Sequence, residues 1–161
     1  MAVLTIRKLP DPILRQKAKR IRHIDKGLLK LAGDMIETMH DANGVGLAGN
    51  QVGILQQIAV IQLTDEDEPL ILINPEITRR EGERHVEEGC LSIPGYRGLV
   101  RRSLKVKLRA LDKKGKLLRI EGEELLAQAF EHETDHLNGK LYIDHLVSRD
   151  KLWKIPPDSV G

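Results

Sequence analysis

The chain has 161 residues, 26 basic against 24 acidic side chains and one cysteine. That length suits one domain with a real core, a net charge of +2 is too small to argue for nucleic acid, and a lone cysteine forms no internal disulfide and points to a reducing compartment, the cytoplasm. Residues 1–8 lack an apolar signal region and no stretch nears the roughly 18 apolar residues a membrane span needs, so neither export nor a membrane partner is expected.

After an extended start broken by Pro10 and Pro12, Asp25 caps a predicted helix in which Leu28, Leu31, Ala32, Met35 and Met39 recur at helical spacing, ending near Gly44. Residues 44–51, with Gly44, Gly46 and Gly49, read as a loop that something approaches closely; a plain flexible turn is the commoner reading of such a stretch on its own. Strands are predicted at 58–63 and 70–73, separated by the acidic turn 65–69. Leu104, Val106, Leu108 and Ala110 alternate with Lys105, Lys107 and Arg109, and the turn 112–115 leads into 116–120, a hairpin with one wet, basic face. A second helix over about 123–138 buries Leu126, Phe130 and Leu137, carries His132 and His136 on a neighbouring face, and stops at Gly139. A short third helix is expected over 145–154, with residues 156–161 as a tail. The predicted class is α+β, mostly antiparallel sheets packed around a central metal-binding helix, with residues 1–161 as one catalytic domain.

Chemistry concentrates in two places. His132 and His136, four residues apart on a helix, face the same way and can address one ion, with Glu133 between them. A helix can carry such residues as an ordinary solvated face, so this motif alone decides little. Cys90, in the segment Glu88-Gly89-Cys90-Leu91-Ser92, tips the balance by offering a third ligand. Three protein donors leave one position of a four-coordinate ion for water and substrate, the pattern of a catalytic site. A metal there would make water a nucleophile near neutrality, Glu133 would accept its proton and later pass it to a leaving amine, and the Gln51 side-chain amide and the Leu91 N–H are candidate donors to a developing oxyanion. His23, His40, His85 and His145 lack ligand spacing and are expected in ordinary surface or capping roles.

Segments 44–51, 88–92 and 131–139, in this order and spacing, resemble the three signature segments of the peptide deformylases, and the likeness extends over nearly the whole chain. The resemblance implies a metal-dependent hydrolase that removes the formyl group from the N-terminal formyl-methionine of nascent polypeptides and releases formate. It implies Cys90, His132 and His136 as metal ligands, Glu133 as acid and base, and Gln51 with the Leu91 N–H as oxyanion donors. Val45 and Gly46 would line the substrate cleft, Gly46 and Gly89 offering main-chain hydrogen bonds to an extended peptide. The implied cofactor is one divalent ion, natively Fe2+, with Zn2+, Ni2+ or Co2+ able to occupy the site; the implied partners are nascent chains and the ribosome near its exit tunnel, without membrane or specific DNA.

Two positions depart from the family pattern. Gly49 replaces a usual alanine and is expected to loosen its loop, and Glu131 replaces a usual glutamine and is expected to raise the basicity of ligands or bound water. The chain stops soon after Trp153, where some members continue into a helix that docks on the ribosome. A zinc endopeptidase would share the helix motif but take its third ligand downstream, where only Asp144 or His145 stands. An RNA-binding protein with a structural metal would use Arg79-Arg80, Arg101-Arg102 and the basic hairpin, charges better read as a solvated sheet face.

Overall fold

The computed structural model describes residues 2–156; most of the expected tail, from 157 onward, lies outside the described residues. Helix α1 spans Lys26–Asp41, and Asp25 caps it by accepting the Leu28 N–H, which satisfies one of the donors a helix start leaves free. The strands are β1 Gly46–Ala48, β2 Ile58–Ile61, β3 Leu70–Glu81, β4 Arg84–Cys90, β5 Ile93–Arg102, β6 Lys105–Leu111, β7 Leu117–Glu123 and β8 Leu152–Lys154, with helix α2 at Glu124–Leu137. They form a five-stranded sheet of order β1-β2-β3-β6-β7 and a three-stranded sheet of order β4-β5-β8. All strand pairs are antiparallel, as the predicted class requires.

Alternation does its expected work in β6, where Val106, Leu108 and Ala110 are buried and Lys107 and Arg109 are exposed. The inward set packs on Ala127, Ala129 and Phe130 of α2 beside Ile61 and Leu72. A second apolar cluster joins Leu28, Ala32, Met35 and Met39 of α1 to Leu47, Ile58, Val60 and Ile73. Fully burying one such aliphatic side chain stabilises by about 1.5 to 3 kcal/mol, so both helices are held on the larger sheet by their apolar faces. Helix α2 also reaches β5 of the smaller sheet.

The sequence reading needs correction at the end of the chain. No third helix spans 145–154: residues Tyr142–His145 form a 3-10 turn and Leu152–Lys154 form β8. Strand β8 pairs with β5 in the register Gly98↔Leu152, Arg97↔Trp153 and Tyr96↔Lys154, and this long-range pairing overrides a weak local helical pattern. Strand β3 is also longer than the predicted 70–73, because residues up to Glu81 pair with β6.

Candidate metal centre and cleft

Cys90 ends β4, while His132 and His136 stand one helical turn apart on α2. Their donor atoms lie within 4.8 Å of one another. The two imidazole Nε2 atoms are 3.1 Å apart, and Cys90 Sγ is 3.3 Å from His136 Nε2. Two nitrogens bound to one tetrahedral ion at normal lengths stand about 3.3 Å apart, so this set fits a metal. One soft sulfur with two imidazoles suits a divalent transition ion rather than magnesium or calcium.

The surroundings prepare the donors. Glu88 Oε2 lies 2.5 Å from His132 Nδ1, which places a proton on Nδ1 and leaves the Nε2 lone pair toward Cys90. Glu88 is gripped by Arg102, whose Nε and Nη2 donate to Oε1 and Oε2 at 2.9 and 2.6 Å. Arg102 Nη1 donates to Asp135 at 2.8 Å. Burial works against the Glu88 carboxylate, but His132 and Arg102 outweigh it and hold its pKa far below the usual range. Burial likewise opposes the Cys90 thiolate, and the His136 and His132 rings overcome it, bringing the pKa down to about 5. A thiolate is the form that binds metal.

Glu133 is 3% exposed. Its Oε1 has no hydrogen-bond partner among the described residues, and burial pushes its carboxyl above the usual range. A buried carboxyl with an unpartnered oxygen is suited to accept and pass on a proton. Its other oxygen lies close to β1: a Cβ on Gly46 would stand 2.4 Å from Oε2, so a larger residue there would displace the carboxylate from this position. Gln51 sits in the 3-10 turn Gly49–Val52, its Nε2 3.6 Å from Cys90 Sγ.

These groups line one cavity of about 260 Å³. Val45 and Gly46 form one wall, Gly89, Cys90 and Leu91 another, with Gln51, His132 and Glu133 between them. His136 is buried and stands behind this lining. Val45 and Leu125 stay exposed at the rim. All nine residues singled out from the sequence therefore fall in or directly behind the same cleft.

Glu88 received no role from the sequence, and Arg102, Asp135 and Ser92 were missed as parts of the site. A signal existed for Glu88, which is two residues from Cys90 in a strand and so points the same way. The basic pairs are mostly occupied. Arg102 is buried on Glu88 and Asp135, Arg80 pairs with Glu131, and Lys105 and Arg109 face Glu121, Glu123 and Glu76, the pattern of a solvated sheet face with interspersed charges.

Both departures from the family pattern read differently in three dimensions. Glu131 accepts from the Ser103 N–H at 2.6 Å, from Ser103 Oγ at 3.0 Å and from Arg80 at 3.1 Å; the carboxylates that act on His132 are Glu88 and Glu133. Gly49 tightens rather than loosens its loop, because a Cβ there would stand 2.7 Å from Ile54 O and 2.8 Å from Gln56 O.

A thiolate and two imidazoles, a buried free carboxylate and an open cleft define a metal-dependent hydrolase. A family model described as polypeptide deformylase matches residues 3–152. The chain is 51% identical over 158 residues to a peptide deformylase of Dehalococcoides mccartyi strain CBDB1, covering 98% of this chain and 95% of that one. The crystal structure of a peptide deformylase from Legionella pneumophila matches with a TM-score of 0.88 and 46% identity, over 90% of this chain and 86% of the other. One from Synechococcus elongatus in complex with actinonin matches with a TM-score of 0.88 and 43% identity, over 91% and 82%. The chain belongs to the polypeptide deformylase family, enzymes that remove the N-terminal formyl group from nascent polypeptides.

Proposed function

We propose that the whole chain acts as one catalytic unit whose cleft beside β1 and the end of β4 hydrolyses the formyl amide of nascent formyl-methionyl chains, with Cys90, His132 and His136 holding one divalent ion. The observation that carries this reading is the meeting of three donor atoms with the free Glu133 carboxylate in one open cavity. When bound, the ion supplies Lewis acidity, which makes water nucleophilic near neutral pH. Ferrous iron is the native ion in this reading, and zinc, nickel or cobalt suit the same donors.

Glu133 accepts the proton that water gives up and returns it to the methionine amine as that amine leaves. Burial raises its pKa, which favours the return of the proton. The formyl oxygen gains charge in the transition state, and the Gln51 amide and the Leu91 N–H donate to it there. Main-chain groups of Gly46 and Gly89 bind the peptide in extended form, with Val45 along the wall. The enzyme works in the cytoplasm on chains leaving the ribosome, close to the exit tunnel. No described helix is long and apolar enough to cross a membrane.

Formate release from a formyl-methionyl peptide by the freshly prepared ferrous protein tests this reading, with Glu133→Gln as the informative variant. The variant should retain its metal and lose turnover by about 10² to 10⁴. Turnover near that of the unmodified protein would remove Glu133 from the proton path.

A further inference from the structure

The Gln51 amide is held at both ends. Its Oε1 accepts the Ala48 N–H at 3.0 Å, and its Nε2 donates to Ser92 Oγ at 3.1 Å. A primary amide has two N–H donors; Ser92 takes one, leaving the other for the side on which Cys90 Sγ lies. Exchanging the amide oxygen and nitrogen would set a donor against the Ala48 N–H, so the group has a single orientation.

Ser92 is itself fixed. It is 0% exposed, and its N–H donates to Cys90 Sγ at 3.4 Å. Its carbonyl accepts the Leu9 N–H at 3.0 Å, while the Gln51 carbonyl accepts the Arg7 N–H at 2.6 Å. Residues two apart in an extended chain present their groups to the same side. Residues 7–9 therefore strap the turn that carries Gln51 to the turn that carries Ser92, and set the spacing over which the side-chain hydrogen bond forms.

We propose that Ser92 is a positioning residue for the hydrolysis, its hydroxyl fixing the Gln51 amide so that its second N–H, which here points to Cys90 Sγ at 3.6 Å, is aimed at the oxygen on which charge develops. The inference rests on the assignment of Gln51 as an oxyanion donor. Ser92 touches no reacting atom in this account and acts only through Gln51. Its N–H to the sulfur is a main-chain group that survives substitution by alanine.

A double-mutant cycle tests the proposal with wild type, Ser92→Ala, Gln51→Ala and the double variant, all loaded with the same metal. kcat, KM, metal content and urea midpoint are measured for each. Ser92→Ala should lower kcat by about three- to tenfold, the worth of one neutral hydrogen bond, with KM and metal content nearly unchanged. Gln51→Ala should lower kcat by about 10² to 10³, and the double variant should be no slower than Gln51→Ala alone.

If the two effects multiply, or if the fall in Ser92→Ala only tracks a loss of folded protein, Ser92 does not work through Gln51 and the proposal is overturned. A slow Gln51→Ala beside a full-rate Ser92→Ala overturns the proposal and leaves the oxyanion role standing. Gln51→Ala at full rate removes both.

Discussion

Replacing Arg102 by methionine keeps most of the side-chain volume and deletes the charge that three hydrogen bonds depend on. Arg102 is 2% exposed in its side chain, against 5% for Glu88 and 13% for Asp135. Burial opposes the guanidinium charge, and Glu88 and Asp135 more than compensate, so its pKa is raised above the ordinary value. Without it, Glu88 keeps only His132 and Asp135 only His145 as an ion-pair partner, each weaker than the permanently charged guanidinium, in a site largely closed to water. Stranding a buried charge costs about 3 to 5 kcal/mol, a large share of the roughly 5 to 15 kcal/mol that stabilises a domain.

For a chain of this size each kcal/mol moves the melting midpoint by about 2 to 4 °C. Arg102→Met should therefore melt roughly 10 °C lower. Urea unfolding of the metal-loaded proteins followed by circular dichroism measures the loss directly, with an unchanged m-value required for the comparison. Pairing the change with Glu88→Gln should recover part of it, because fewer charges are then stranded. A loss below about 1 kcal/mol would refute the reasoning, since it would mean that these carboxylates are solvated well enough to do without Arg102.

Gly49→Ala should lower the urea midpoint with kcat per folded molecule little changed, as the new Cβ meets two backbone oxygens under 3 Å away; an unchanged midpoint would show that the loop at 54–56 gives way freely. Cys90→Ser should release its metal more readily in a competition with a chelator, because a hard hydroxyl replaces a soft thiolate; equal retention would break the ligand assignment. Asp112 accepts the Lys114 and Lys116 N–H groups across the β6–β7 turn, and the Lys116 main-chain bond, before all other causes, lowers its pKa. A depressed folded pKa stabilises above the unfolded value and loses that effect as pH falls, so the stability margin over Asp112→Ala should be full near about pH 6 and shrink below about pH 4. A margin that stayed constant on acidification would contradict this.

Both helices, the β6–β7 hairpin and all three donor residues were legible because each leaves a local trace. The apolar period of α1, the alternation in β6 and the four-residue histidine spacing need no distant partner to be read. The β4–β5 hairpin left a poorer trace. Its inward positions run Arg84, Val86, Glu88 and Cys90, and a buried glutamate breaks the apolar alternation that marks a strand. Glu88 faces inward only because Arg102 of β5 and His132 of α2 meet it there, and neither pairing can be computed from a window of sequence. Strand β8 failed for the same reason, being defined by pairing with residues 96–98, far back in the chain. Glu131 misled because its position beside a ligand was visible while its partners, Arg80 and Ser103, were not.

The distance in sequence between the sulfur on β4 and the two rings on α2 also orders events during the protein's own birth. A ribosome must translate through codon 136 before the last donor exists, by which time the first residues, with Ala2 N–H on Asp34 and Leu4 N–H on Thr38, have long had their docking places on α1. Cation binding at this centre is therefore a property that only a nearly full-length chain can acquire, since its donors come from β4 and from the last long helix.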